Sequence, residues 1–160
     1  VPLLAAAAAA RLADGSYSVA SSLADNEAVD HGPRFLTWMR ACFKGSAAEL
    51  TAWTDEFSKI GRENQKHFLR YALHFWREFL LLSVTDNADG NVRLPENELK
   101  IARKMLPIIN HDQLAEITNI ISECTEYVER NANPKILFLD AGIRIHQTLR
   151  QPQAQAWAAS

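Results

Sequence analysis

Cysteine, methionine, glycine and proline are all scarce in this chain of 160 residues, which has two Cys, two Met, six Gly and six Pro. The two cysteines, Cys42 and Cys124, form no CxxC pair and have no histidine nearby at metal-ligand spacing. That excludes a disulfide scaffold and a zinc framework, and both thiols are expected as small buried hydrophobes in a reducing cytoplasm. The few glycines and prolines gather at boundaries, which argues against a turn-rich β fold. Neither sign of charge dominates: 17 basic against 19 acidic side chains give a formal net charge of −2. That excludes the strongly basic balance of a dedicated nucleic-acid binder. Long apolar runs are missing apart from residues 1–10, which lack a basic flank and are too short to span a bilayer. Because the chain starts on Val1 rather than Met, the expectation is an internal cut in a longer protein, just before a helix.

What is present is apolar material in helical register. Hydrophobic residues make up 48% of the sequence, enough for the core of one domain, or of one domain and a fragment of another. Residues 5–13 have strong helix-forming composition and Gly15 stops them; a second short helix is expected from Ser16. Residues 24–32 are polar and end on Gly32, and read as a linker. Pro33 then suits the first turn of a helix carrying Phe35, Leu36, Met39, Cys42 and Phe43, which Gly45 ends. Ser46-Ala47-Ala48-Glu49 is a capping box before the stripe Leu50, Trp53, Phe57 and Ile60. After Gly61, residues 62–83 form the longest predicted helix, with Phe68, Tyr71, Ala72, Phe75, Trp76 and Phe79 over half of its circumference. Such an aromatic face belongs in a core, and Phe75, Trp76 and Phe79 are assigned there.

The polar segment 84–94 faintly evokes a calcium loop through Asp86, Asn87, Asp89 and Gly90, but its spacing is wrong and no glutamate closes it. Pro95 opens a helix with Leu99, Ala102, Met105 and Leu106, and Pro107 ends it. In residues 112–130, Leu114, Ile117, Ile121, Cys124 and Val128 recur at steps of three and four, as in a seam between helices. Asn133 is the expected N-cap and Pro134 the first residue of the last helix, whose apolar start, 136–139, is expected to be sandwiched between neighbours. The fold class is therefore all-α.

Two surfaces of the longest helix carry candidate chemistry. Glu63, His67, His74 and Glu78 recur at spacings of four, seven and four, the residue types of a bundle metal site. That face lies opposite the aromatic half, so it is expected in solvent, and no other helix supplies a matching Glu-x-x-His. Beside it run Lys59, Arg62, Lys66, Arg70 and Arg77. Five cations suit phosphates, a solvated face or acidic side chains of another subunit; the net charge and the lack of interleaved aromatics argue against direct nucleic-acid contact. There is no G-x-S-x-G, no glycine-rich phosphate loop and no recognisable Cys–His arrangement.

Two segments resemble the clamp-loader subunits of bacterial DNA polymerase III, most closely those of the delta-prime type. Ala10-Arg11-Leu12-Ala13-Asp14-Gly15-Ser16-Tyr17-Ser18-Val19-Ala20 looks like the end of the helical lid of an AAA+ module. Glu129-Arg130-Asn131-Ala132-Asn133-Pro134-Lys135-Ile136-Leu137-Phe138-Leu139-Asp140 is similar to the opening of the last helix of the collar domain. Trp38-Met39-Arg40 and Ile60-Gly61-Arg62-Glu63-Asn64-Gln65-Lys66 fit the same pattern. Members that hydrolyse ATP carry a sensor arginine early in the second lid helix; this chain has Ser18 in that region and no Arg, which matches the delta-prime type.

The resemblance implies a lid remnant of two helices over residues 1–25, a linker at 26–32, a collar bundle of about five to six helices at 33–151 and a frayed tail at 152–160. It also implies a non-catalytic cytoplasmic oligomerisation domain that needs no cofactor, joins other loader subunits in a hetero-pentameric ring and touches DNA at most indirectly. The nucleotide-binding core, zinc-binding cysteines and arginine finger of the family would precede residue 1. Lys59, Arg62, Lys66, Arg70, Arg77, Asn131, Asn133, Pro134 and Lys135 are the expected interface residues. The alternatives are the collar of the ATP-hydrolysing gamma/tau subunit and a stand-alone metal- or nucleic-acid-binding bundle.

Overall fold

Helix stops in this chain are written in backbone geometry. Gly45 adopts φ 69° and Gly61 φ 91°, values in the left-handed region that a Cβ disfavours, and Asn131 does the same at φ 60°. A computed structural model describes residues 28–85 and 92–151, and between these breaks it forms helices: α1 Ala28–Lys44, α2 Ala47–Ser58, α3 Arg62–Val84, α4 Glu96–Met105, α5 His111–Glu129 and α6 Pro134–Leu149. Among the described residues there is no strand, so the all-α bundle of five to six helices expected from the sequence is what forms. The two lid helices, the 86–91 part of the polar loop and the tail from 152 lie outside the described residues.

Three of the six helix starts, those of α2, α5 and α6, carry side-chain caps. The Ser46 hydroxyl accepts the Glu49 N–H at 3.3 Å, while the Glu49 carboxylate pairs with Lys44. Asn110 and Gln113 form a reciprocal capping box that the sequence reading missed. Asn133 accepts from the N–H groups of Lys135 and Ile136, with Pro134 opening α6 as expected.

One boundary differs from expectation. Residues 28–32, assigned to a linker, are the first turns of α1, and Pro33 lies inside that helix rather than at its start. Proline there removes one backbone donor. Burial outweighs that loss: His31 and Gly32 are sealed against α3, with the His31 ring 6.2 Å from Phe68 and 6.4 Å from Tyr71.

Packing follows from the apolar stripes. Helix α3 lies between α1 and α5, α6 packs on α1, α2 and α5, and α1 also packs on α2. Helix α4 stands outside these principal pairings and buries Glu98, Ala102 and Met105. Where α1, α2, α3 and α6 meet, aromatic rings interlock: Trp38 stacks on Trp53 at 5.1 Å, Trp53 on Phe57 at 4.6 Å, and Phe57 meets Phe68 and Phe138 edge-on at 4.6 and 4.5 Å. Phe75, Trp76 and Phe79 are fully buried, in the intradomain role assigned to them, and the whole α5 stripe of Leu114, Ile117, Ile121, Cys124 and Val128 is buried. The start of α6 is not sandwiched. Phe138 is inside, but Ile136 is 70% exposed, because α1, α2 and α5 cover only one side of that helix.

Candidate functional site

A helix advances about 100° per residue, which places Arg62, Lys66, Arg70 and Arg77 within an arc of about 80° on α3. Arg62, Arg70 and Arg77 are exposed and Lys66 is half-buried. Two of these cations, and Lys59 in the turn before them, are engaged locally. Lys59 pairs with Glu56 at 3.5 Å, Lys66 with Glu63 at 3.4 Å, and an Arg62 guanidinium N–H donates to the Asn131 side chain. The same arc holds apolar residues that the sequence reading passed over: Leu73 is half-buried, Leu80 is 43% exposed and Val84 61% exposed. The steps of seven from Leu73 to Leu80 and of four from Leu80 to Val84 were the available signal. The stripe is therefore amphipathic rather than simply basic.

The Asn131–Lys135 segment is occupied by intradomain work. Asn131 ends α5 in its left-handed turn and receives Arg62, which ties the start of α3 to the α5–α6 connection. Asn133 is spent on capping, Pro134 sits in the first turn, and Lys135 reaches Asp55 on α2 at 3.8 Å. The structure thus joins Arg62 with Asn131, and Lys135 with Asp55. Arg70 and Arg77 stand farther along α3.

The glutamate–histidine face is corrected by the structure. Glu63 is exposed and His67 half-buried, but His74 and Glu78 are buried, not in solvent. Their partner is a stretch of backbone. The Glu78 Oε1 accepts the Arg93 N–H at 2.7 Å, and the His74 Nε2 lies 3.1 Å from the Arg93 carbonyl oxygen, a contact that requires the Nε2–H tautomer. One turn of α3 so satisfies both backbone groups of the residue leading into α4. Among the described residues, no group of three or more His, Cys, Asp or Glu is placed to hold a metal ion.

Glu98 is the polar residue that sequence reasoning missed. It is 3% exposed, accepts the Tyr71 hydroxyl hydrogen, and faces Gly32, where a Cβ would sit 2.8 Å from its Oε2. Burial pushes its carboxyl up to about 7. Its place in the α4 stripe with Ala102 and Met105, at helical spacing, was the one sequence signal. Burial likewise raises both thiols, Cys124 to about 12, so neither is an ionised nucleophile near neutrality.

Comparison of the chain with protein-family models, curated proteins and solved structures returns no match.

Among the described residues, no helix is long and apolar enough to cross a membrane. With His74 and Glu78 committed to a backbone segment, Glu98 to Tyr71 and the thiols protonated, the outward chemistry is charge pairing and apolar contact. Tyr127 on α5 and Ile108 before it are also exposed, but two helices present apolar residues in helical register. Helix α3 does so through Leu80 and Val84, beside Arg70 and Arg77, and α6 through Ile136 and Ile143, the latter 43% exposed.

Proposed function

We propose that this chain is a non-catalytic assembly domain, the collar of a DNA polymerase III clamp-loader subunit of the delta-prime type, which supports sliding-clamp loading in DNA replication. In this reading it works in the cytoplasm without a cofactor of its own. It is held in a hetero-pentameric ring with other loader subunits and meets DNA at most indirectly. The resemblance of residues 10–20 and 129–140 supports the family. Ser18, standing where a sensor arginine would be expected, supports delta-prime over gamma/tau.

The observation that carries the reading is on α6. Ile136 and Ile143 are seven residues apart, hence on one face, and both are exposed on the described bundle. Large side chains exposed in register on a helix are the chemistry of a surface meant to be covered. The test is reconstitution of the intact chain with the other purified loader subunits, followed by size-exclusion chromatography. Wild-type chain should enter a stoichiometric hetero-oligomer, and Ile136→Glu/Ile143→Glu should fold but enter poorly. A wild-type chain that joins no subunit overturns the proposal.

A further inference from the structure

The outer arc of α3 differs from that of α6 in carrying charge of one sign. Moving toward the C-terminus, the arc presents Arg70, Leu73, Arg77, Leu80 and Val84, with Leu80 and Val84 substantially exposed. The opposite sides of α3 are taken by α1 and α5, so this arc is the part of the helix left for something outside the described fold. Nearer the N-terminus, Lys66 is offset by Glu63, and Arg62 is drawn toward Asn131. Among the described residues, the cationic edge without a paired acid therefore lies at Arg70 and Arg77, alongside the exposed aliphatic residues. We propose that this arc is a docking seam for an acidic amphipathic helix of a neighbouring subunit. The inference rests on the assembly reading above and adds to it which face is used and what the partner's chemistry must be.

The spacing sets the shape of the partner. Leu73 to Leu80 is seven residues and Leu80 to Val84 is four, the register in which one helix packs along another. Covering Leu80 and Val84 brings apolar surface up against Arg70 and Arg77. Cations partly stripped of water there need carboxylates as partners, or the desolvation is not offset. A helix with an aliphatic stripe edged by Asp or Glu meets both demands.

A nucleic acid meets only one of them. Phosphates would answer the arginines but offer nothing to Leu80 and Val84, and single-stranded bases stack on aromatic rings. The aromatics of α3 are all turned inward: Phe68, Tyr71, Phe75, Trp76 and Phe79 are at most 4% exposed. A second copy of the chain is the nearer competitor, because the outer face of α5 carries exposed Asp112, Glu116, Glu123, Glu126 and Glu129.

The test uses the full chain and the purified loader subunits, with Arg70→Glu/Arg77→Glu and Leu80→Glu/Val84→Glu as variants. These side chains are exposed, so both variants should retain the wild-type melting curve. Each should bind the subunit assembly at least about tenfold more weakly, and the arginine variant should flatten the salt dependence of binding. A photo-crosslinking residue at position 80 should attach to a glutamate- or aspartate-rich helical segment of another subunit, and reversing charges in that segment should rescue the arginine variant. Wild-type binding by both variants, or crosslinking to a second copy of the chain or to added single-stranded DNA, overturns the seam while leaving the assembly reading in place. A wild-type chain that binds no subunit removes the assembly reading itself.

Discussion

The Tyr71 hydroxyl on α3 donates to the Glu98 carboxylate on α4, in a site where neither residue is more than 4% exposed. Gly32 on α1 closes the third side, and the rings of His31 and His74 flank the tyrosine at 6.4 and 6.3 Å. Helix α4 has few other strong attachments, so this contact and the pinning of Arg93 decide how firmly it is held.

The first prediction concerns pH. Burial raises the Glu98 carboxyl from the ordinary glutamate range to about 7 in the folded chain. Between those values the folded state binds more protons than the unfolded state, so stability falls as pH rises through the window. At pH 8 the loss is on the order of 3 kcal/mol relative to pH 4, at about 1.4 kcal/mol per pKa unit. Glu98→Gln keeps an acceptor for Tyr71 and cannot ionise. Thermal melts from pH 4.5 to 8 should show the wild type declining and the variant nearly flat. An equal decline in both would assign the pH dependence to other groups.

A second expectation concerns the segment before α4. Glu78→Ala leaves the Arg93 N–H without its 2.7 Å partner, at a cost of about 1–3 kcal/mol. Hydrogen exchange should accelerate in residues 92–105 while α5 stays protected; Glu78→Gln should restore most of the protection. The same site tests the metal alternative. Elemental analysis of purified protein should find no stoichiometric metal, and chelator should leave the melting temperature unchanged.

Gly45 makes a third test. Alanine there must hold φ near 69° and would push its Cβ into the His146 ring, whose Nδ1 is fixed 2.8 Å from the Cys42 carbonyl oxygen. The backbone conformation alone costs about 1–2 kcal/mol and the clash adds to it. Denaturant melts of Gly45→Ala should show a loss of at least about 2 kcal/mol; near-neutrality would mean that α1 ends differently.

The two isoleucine-region neighbours on α6 should behave oppositely. Phe138→Ala empties a site between Trp38, Trp53 and Phe57 and should cost about 3–5 kcal/mol. Ile136→Ser, two residues earlier and 70% exposed, should change stability by no more than about 0.5 kcal/mol. Comparable losses from both would place Ile136 inside the core.

Local rules carried the reading a long way. Gly45, Gly61, Asn133 and Pro134 mark real boundaries because a φ value or a cap involves only near neighbours, and the α5 stripe is buried throughout because its period is helical. The reading failed where a polar side chain found a distant partner. His74 and Glu78 occupy what pattern logic treats as a solvent face, and Glu98 sits in the stripe of α4. Ile136 failed in the other direction, since periodicity shows that a helix has an apolar side but not how many neighbours will cover it.

By itself, then, the sequence determined the helices, their stops and most of the aromatic core, since these depend on conformational preference and on spacing along one helix. Tertiary structure alone decided which ionisable groups lie inside. Burying a carboxyl is tolerable only beside a donor, and Glu98 meets its donor across 27 residues of chain, Glu78 across 15. It also decided that the cationic arc of α3 carries exposed leucine and valine, because only the packing of α1 and α5 determines which part of that helix stays uncovered.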